Sequence, residues 1–173
     1  MLRAWEAADA PVVLEAARDP AIGLFAPMPE VADGGRAAAR AWCEARADWS
    51  SGEQASWAVT EDGRVVGSIS AFELDHDQST GELGYFVLPA FRGRGIAGTA
   101  LASVTSFCFE RIGLWRLELF HAVENEASCA VASRAGFLHE GTHRQSFRYG
   151  DGVRHDEHLH GRLASDPPAE GAP

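Results

Sequence analysis

Apolar and polar residues alternate in short runs along much of the chain and recur at helical spacing elsewhere. Leu2 to Trp5 reads as a short first strand. Asp9 suits an N-cap, and Pro11 fits the first turn of a helix reaching about Arg18, which Asp19-Pro20 stops. A loop with Pro27 and Pro29 follows. Asp33-Gly34-Gly35 opens a second helix, with Ala37, Ala38, Ala41, Trp42 and Ala45 along one side. Gln54 to Thr60, Val65 to Leu74 and Gly81 to Leu88 read as three strands joined by the polar turns Glu61–Arg64 and Asp75–Thr80. Gly95 to Ile112 is helical, with Leu101, Val104, Thr105 and Cys108 on one stripe and Gly113 as its cap. Arg116 to Val123 is a strand with Leu117, Leu119 and His121 on one face and Glu118 and Phe120 on the other. Asn125 starts a short helix that stops at Gly136. Phe137 to Phe147 and Arg154 to Leu163 form a last hairpin around Tyr149-Gly150-Asp151-Gly152.

The resulting order is strand, two helices, three strands, helix, strand, helix, two strands. It predicts an α/β (α+β) fold with a mixed central sheet and helices on both faces. Residues 1–163 are expected to form a single domain, and the Pro-, Ala- and acid-rich tail from Ala164 to be disordered.

Composition narrows the function classes. With 46% hydrophobic residues, the chain of 173 residues can build a substantial core. Its net charge of -10 shows no basic face for nucleic acid, and mildly favours a cationic or amine ligand. All 15 basic residues are arginine, so a Schiff base on lysine is excluded. Cys43, Cys108 and Cys129 are widely spaced and form neither a disulfide framework nor a C-x-x-C motif. No signal peptide or membrane-length apolar run appears, so a reducing cytoplasm is the expected compartment and no membrane partner is expected.

The segment Arg92-Gly93-Arg94-Gly95-Ile96-Ala97 lies between a strand and a long helix. Its glycines let several N–H groups converge at the positive end of the helix dipole, an arrangement that attracts phosphate. The flanking arginines can add charge-assisted bonds. The segment lacks the G-x-G-x-x-G spacing and a Walker lysine, which argues against NAD and ATP.

Arg92-x-x-Gly95-x-Ala97 matches the [Q/R]-x-x-G-x-[G/A] pattern of the GCN5-related N-acetyltransferase (GNAT) superfamily. Glu82-Leu83-Gly84-Tyr85-Phe86, Asn125-Glu126-Ala127-Ser128, Gly136-Phe137, Glu140-Gly141 and Asp156 further resemble its Rim-type branch, which acetylates ribosomal-protein N-termini. The resemblance implies a sheet of about seven strands, splayed between the fourth and fifth. It implies an enzyme that moves an acetyl group from acetyl-CoA to a primary amine by direct attack in a ternary complex. The acceptor is a small molecule or a peptide N-terminus, and a homodimer is compatible with it. Amides from Arg92, Gly93, Arg94, Gly95, Ile96, Ala97 and Gly98 would hold the pyrophosphate. Val87 would pair with pantetheine and polarise the thioester carbonyl, and Asn125 would bond pantetheine or orient the site.

Ser128 matches the serine proposed to protonate the coenzyme thiolate. Rim-type enzymes carry a glutamate proposed as base on a late strand, but the matching position here is close to Phe147. Glu82 is the substitute candidate, His121 the second, and a water chain the third. Two alternatives keep the fold: a succinyl-CoA-using relative, and a non-catalytic acyl-CoA-binding or sensor domain.

The run His155-Asp156-Glu157-His158-Leu159-His160 puts Asp156, His158 and His160 on one strand face. Three ligands in a flat row rarely converge on one ion without help from another element, so no metal is expected. The aromatic residues near Phe25 to Pro29 fall in the loop that walls the acceptor site in relatives.

Overall fold

In the computed structural model, which describes residues 1–167, the alternating runs become strands β1 (Leu2–Arg3), β2 (Ala55–Glu61), β3 (Arg64–Asp75), β4 (Thr80–Val87), β5 (Arg116–Ala122), β6 (Leu138–Arg148) and β7 (Arg154–Leu163). The helical runs become α1 (Ala10–Arg18), α2 (Pro20–Phe25), α3 (Pro29–Ala47), α4 (Ile96–Phe107) and α5 (Glu126–Arg134). All seven strands join one sheet in the order β1-β2-β3-β4-β5-β7-β6. Every neighbouring pair is antiparallel except β4 with β5. The last hairpin does not simply extend the sheet: β7 lies against β5, leaving β6 at the edge.

Each face of the sheet buries its own core. Val66, Ile69, Leu83, Leu117, Leu119 and Phe137 meet Leu101 and Val104 of α4 on one side. Ala58 and Val65 meet Val13, Ala16, Val31, Trp42 and Cys43 of α1 and α3 on the other. Full burial of one such Leu, Ile, Val or Phe contributes about 1.5–3 kcal/mol. The two cores hold the sheet from both sides, so the strands that carry the site are fixed along most of their length.

Four local features depart from expectation. Asp19-Pro20 ends one helix and also begins another. The Asp19 carboxylate accepts from Ile22 N at 2.9 Å, and Pro20 occupies the first turn of α2, where its missing N–H has no helical acceptor to lose. Likewise α3 begins at Pro29, and the Gly35 expected at its start is a kink inside it, at φ 64° and ψ -147°. The last turn of the predicted long helix widens into a π turn over Cys108–Ile112 before Gly113 closes it at φ 86°. Finally, the expected disordered tail starts with a turn: Ala164 N donates to Trp115 O at 2.9 Å, and Leu163 N to Asp166 Oδ2 at 2.8 Å. The remainder of that tail, residues 168–173, lies outside the described residues.

Candidate functional site

Parallel pairing of β4 with β5 covers three residue pairs: Thr80–Arg116, Gly81–Leu117 and Glu82–Glu118. Beyond them β4 runs on to Val87 and β5 to Ala122 with no further register between them. The sheet therefore opens into a gap, where the resemblance led us to expect one. On the other side of β4, Leu88 N donates to Val66 O at 2.9 Å, while Val87 stands opposite Gly67. Backbone groups alternate sides along a strand, so the C=O of Leu83, the N–H and C=O of Tyr85 and the N–H of Val87 are directed into the gap.

The glycine-rich loop closes one end of this gap. Gly93 and Gly95 adopt φ of 74° and 76°, a conformation that residues with a Cβ rarely take. A Cβ built on Gly93, Gly95 or Gly98 would meet no protein atom within 4 Å. Their faces line open space that a larger side chain would fill. The first backbone bond of α4 runs from Thr99 N to Gly95 O at 3.0 Å. The N–H groups of Ile96, Ala97 and Gly98 therefore have no acceptor within the helix and project from its positive end. This donor set fits a pyrophosphate.

The arginine side chains also make contacts within the protein. Arg92 donates through Nε to Val87 O at 3.0 Å and through a terminal nitrogen to Asp19 Oδ1 at 2.8 Å. Arg94 pairs with Glu61 at 2.9 Å. Arg92 thus ties the loop to the end of β4 and to the cap of α2. Burial pushes the Asp19 carboxyl up, but the Ile22 N–H and Arg92 outweigh it and hold the group below the usual carboxylate range.

Across the gap, the Tyr85 hydroxyl and Ser128 Oγ share a hydrogen bond of 2.9 Å. Asn125 caps α5 by accepting from Ser128 N at 3.1 Å through Oδ1, which leaves its amide N–H groups available. The cap and the tyrosine together fix Ser128 at the start of α5. Tyr85 was visible in the sequence only as part of the β4 motif. Burial pushes its hydroxyl up to about 12, against the opposing hydrogen bond from Ser128, so it stays protonated across the working pH range.

Glu82 and His121 are not brought together. Leu83 and Tyr85 pack with the α4 core, so Glu82, Gly84 and Phe86 face the α1–α3 side. By the same alternation His121 follows Leu117 and Leu119 onto the opposite face. Burial raises the Glu82 carboxyl above its ordinary range, helped by the negative charges of Glu118, Glu73 and Glu157. A raised carboxylate suits a base that works near neutral pH. His121 is only 4% exposed; burial keeps its imidazole neutral, and its Nδ1 lies 2.8 Å from the Ala122 carbonyl. Of the two, Glu82 is the less buried.

A further carboxylate on the Glu82 side, Glu157, escaped sequence reasoning. Tyr149 Oη donates to its Oε1 at 2.9 Å and Ser146 Oγ to its Oε2 at 2.7 Å. Only its place in the histidine-rich run could have drawn notice. Phe25, at the end of α2, packs edge-on against Tyr149 at 6.2 Å, and Gly150 N donates to Leu24 O at 3.0 Å. The α2 segment therefore packs against the Tyr149–Gly150 turn on this face. Phe147 lies 47% exposed on the edge strand, packed edge-on against Tyr149 at 5.0 Å, and supplies no carboxylate.

Residues 1–138 match the family described as Acetyltransferase (GNAT) domain. The chain is 39% identical over 95 residues to "Putative ribosomal N-acetyltransferase YdaF" of Bacillus subtilis (strain 168), covering 55% of this chain and 51% of that protein. Spermidine N(1)-acetyltransferase of Vibrio cholerae is 26% identical over 85 residues, 48% of this chain and 49% of that one. The chain thus spans about half the length of the curated relatives it matches. A solved structure described as "Crystal structure of Probable acetyltransferase" is similar at TM-score 0.81 and 30% identity, over 94% of this chain and 91% of that one. Mycobacterium smegmatis RimJ, solved in complex with CoA-disulfide, shares the fold at TM-score 0.88 and 24% identity, over 97% of this chain and 84% of that one. With the split β4–β5 pair and its glycine-rich helix start also in place, the chain belongs to the GNAT acetyltransferase family and resembles its Rim-type branch.

Proposed function

We propose that this chain binds acetyl-CoA along the β4–β5 gap and transfers the acetyl group to a primary amine by direct attack in a ternary complex. The observation that carries the proposal is the gap beyond Glu82, which ends at the donor-rich start of α4. The backbone of Leu83, Tyr85 and Val87 offers the pairing an extended pantetheine arm needs. Amides from Arg92 to Gly98 hold the pyrophosphate. Val87 N–H polarises the thioester carbonyl, and polarising donors of this kind are worth about 3–4 kcal/mol of barrier.

The acceptor approaches from the Glu82 face. Its nitrogen forms a bond to the carbonyl carbon while the carbon–sulfur bond breaks. One amine proton passes to Glu82, directly or through water. The departing thiolate takes a proton from Ser128, whose hydroxyl is partnered by Tyr85; Ser128 recovers a proton from solvent, to which Glu82 releases the one it took. His121, buried on the far face, is not needed as a base. The acceptor is the N-terminal amine of a protein or a small cationic amine, in keeping with the acidic groups Glu82, Glu118 and Glu157 near its path. Three unpaired thiols suit a reducing, cytoplasmic setting.

Calorimetry with CoA, together with thiol release across a panel of amines and peptides, tests the proposal. Gly95→Trp fills the loop and is expected to abolish CoA binding while circular dichroism stays native. Wild-type affinity in that variant would overturn the pyrophosphate assignment. CoA binding with no thiol release from any acceptor would leave the acyl-CoA-binding reading in its place.

A further inference from the structure

We propose that His121, Cys129, His158 and His160 form a binding site for a divalent zinc ion, independent of the acetyl-transfer reading. One ligand atom from each residue lies within 4.8 Å of all the others. These residues come from three elements. His121 on β5 stands opposite His158 on β7, His160 sits two residues along, and Cys129 projects from α5. The flat row that β7 alone would offer is thereby converted into a three-dimensional set. Asp156, which could have completed that row, accepts from Gln145 N at 2.8 Å instead.

Unmet hydrogen-bonding capacity points independently to a ligand. His121 Nε2 and His158 Nδ1 are buried ring nitrogens with no hydrogen-bond partner. Buried polar atoms rarely go unpaired without a reason. The His121 Nδ1 lies 2.8 Å from the Ala122 carbonyl, which makes it the protonated nitrogen and turns the Nε2 lone pair toward the cluster. Metal-binding histidines commonly donate their other N–H to a backbone carbonyl in this way. Cys129 Sγ already lies 3.7 Å from His160 Nε2.

Three imidazoles and one thiolate select a borderline-soft ion and disfavour magnesium and calcium, which take oxygen ligands. Tetrahedral zinc has bonds of about 2.0–2.3 Å, so its ligand atoms stand about 3.3–3.7 Å apart. The widest separation must close by about 1 Å. Cys129 and His158 are only partly buried, so their side chains have room to turn and the ion has a path from the surface. The Zn–S bond forms to the thiolate, so the Cys129 proton leaves to solvent on binding. Occupancy would pin the first turn of α5 to β5 and β7, the turn that also carries Ser128.

The test uses the full chain, stripped with a chelator and titrated with Zn²⁺, with Co²⁺ as the spectroscopic probe. One ion should bind per chain, with proton release and a melting temperature that rises with Zn²⁺. The cobalt form should show the intense visible bands of a tetrahedral ion and a near-ultraviolet sulfur charge-transfer band. Cys129→Ser should lose that band and weaken binding by about 100-fold or more. His143→Gln, on the exposed strand β6, should change nothing. Weak octahedral cobalt bands, binding unaltered by Cys129→Ser, or no stoichiometric binding would each overturn the proposal.

Discussion

Tyr85→Phe separates a structural hydroxyl from one that serves the reaction. The substitution keeps the ring and its packing, and removes only the oxygen 2.9 Å from Ser128 Oγ. Losing one such hydrogen bond should cost about 0.5–1.5 kcal/mol of stability in urea denaturation. If Tyr85 orients the hydroxyl that protonates the thiolate, kcat should fall by about 10²-fold while CoA affinity holds. Ser128→Ala removes the donor itself and should fall at least as far. The two side chains act as one unit in this scheme, so the double variant should be no slower than Ser128→Ala alone. The assay is thiol release at saturating acetyl-CoA, with CoA affinity measured separately by calorimetry. A kcat within twofold of wild type for Tyr85→Phe would refute the reasoning, as would losses that multiply in the double variant. Because burial keeps the Tyr85 hydroxyl protonated up to about 12, neither limb of the wild-type pH profile should belong to it.

Glu82→Gln should lower kcat by about 10²-fold and remove the limb along which wild-type activity falls with falling pH. The Glu82 carboxyl is raised in the fold, so its contribution to stability is present at low pH and is lost as pH rises through that raised value. Glu82→Gln should therefore raise the melting temperature at neutral pH, and an unchanged profile and melting point would remove Glu82 as base. Asp19→Ala takes the cap from α2 and the partner from Arg92, costing about 1 kcal/mol and weakening CoA several-fold; tighter CoA binding would instead make Arg92 a phosphate ligand held back by Asp19. Asp9 accepts two bonds of 2.7 Å from Arg3. Although burial pushes the Asp9 carboxyl up, Arg3 and the Glu6 N–H bring it below its ordinary value, so Asp9→Asn should cost about 1–3 kcal/mol at neutral pH. That difference should shrink as pH falls through the depressed value, which denaturation at two pH values would show.

What the sequence disclosed, and what it withheld, follows the range of the interactions involved. Strand periodicity and turn residues act locally, and β2 to β5 fall close to where the alternation put them. The six residues of α2 are too few to show a helical period, and Pro20 carries opposite meanings after one helix and at the start of the next. The coenzyme loop was legible because its conformation is written into consecutive residues, with positive φ at Gly93 and Gly95. The paired roles of its neighbours were not. Tyr85 and Ser128 are 43 residues apart, Arg92 and Asp19 are 73 apart, and each pair meets only once the sheet and its two helical layers are assembled. The histidine run shows the same effect most plainly. Read alone, β7 offers a flat row. Inserting β7 between β5 and β6 sets His158 against His121 and brings Cys129 of α5 over both, so strand order rather than residue spacing decides whether these side chains can share an ion.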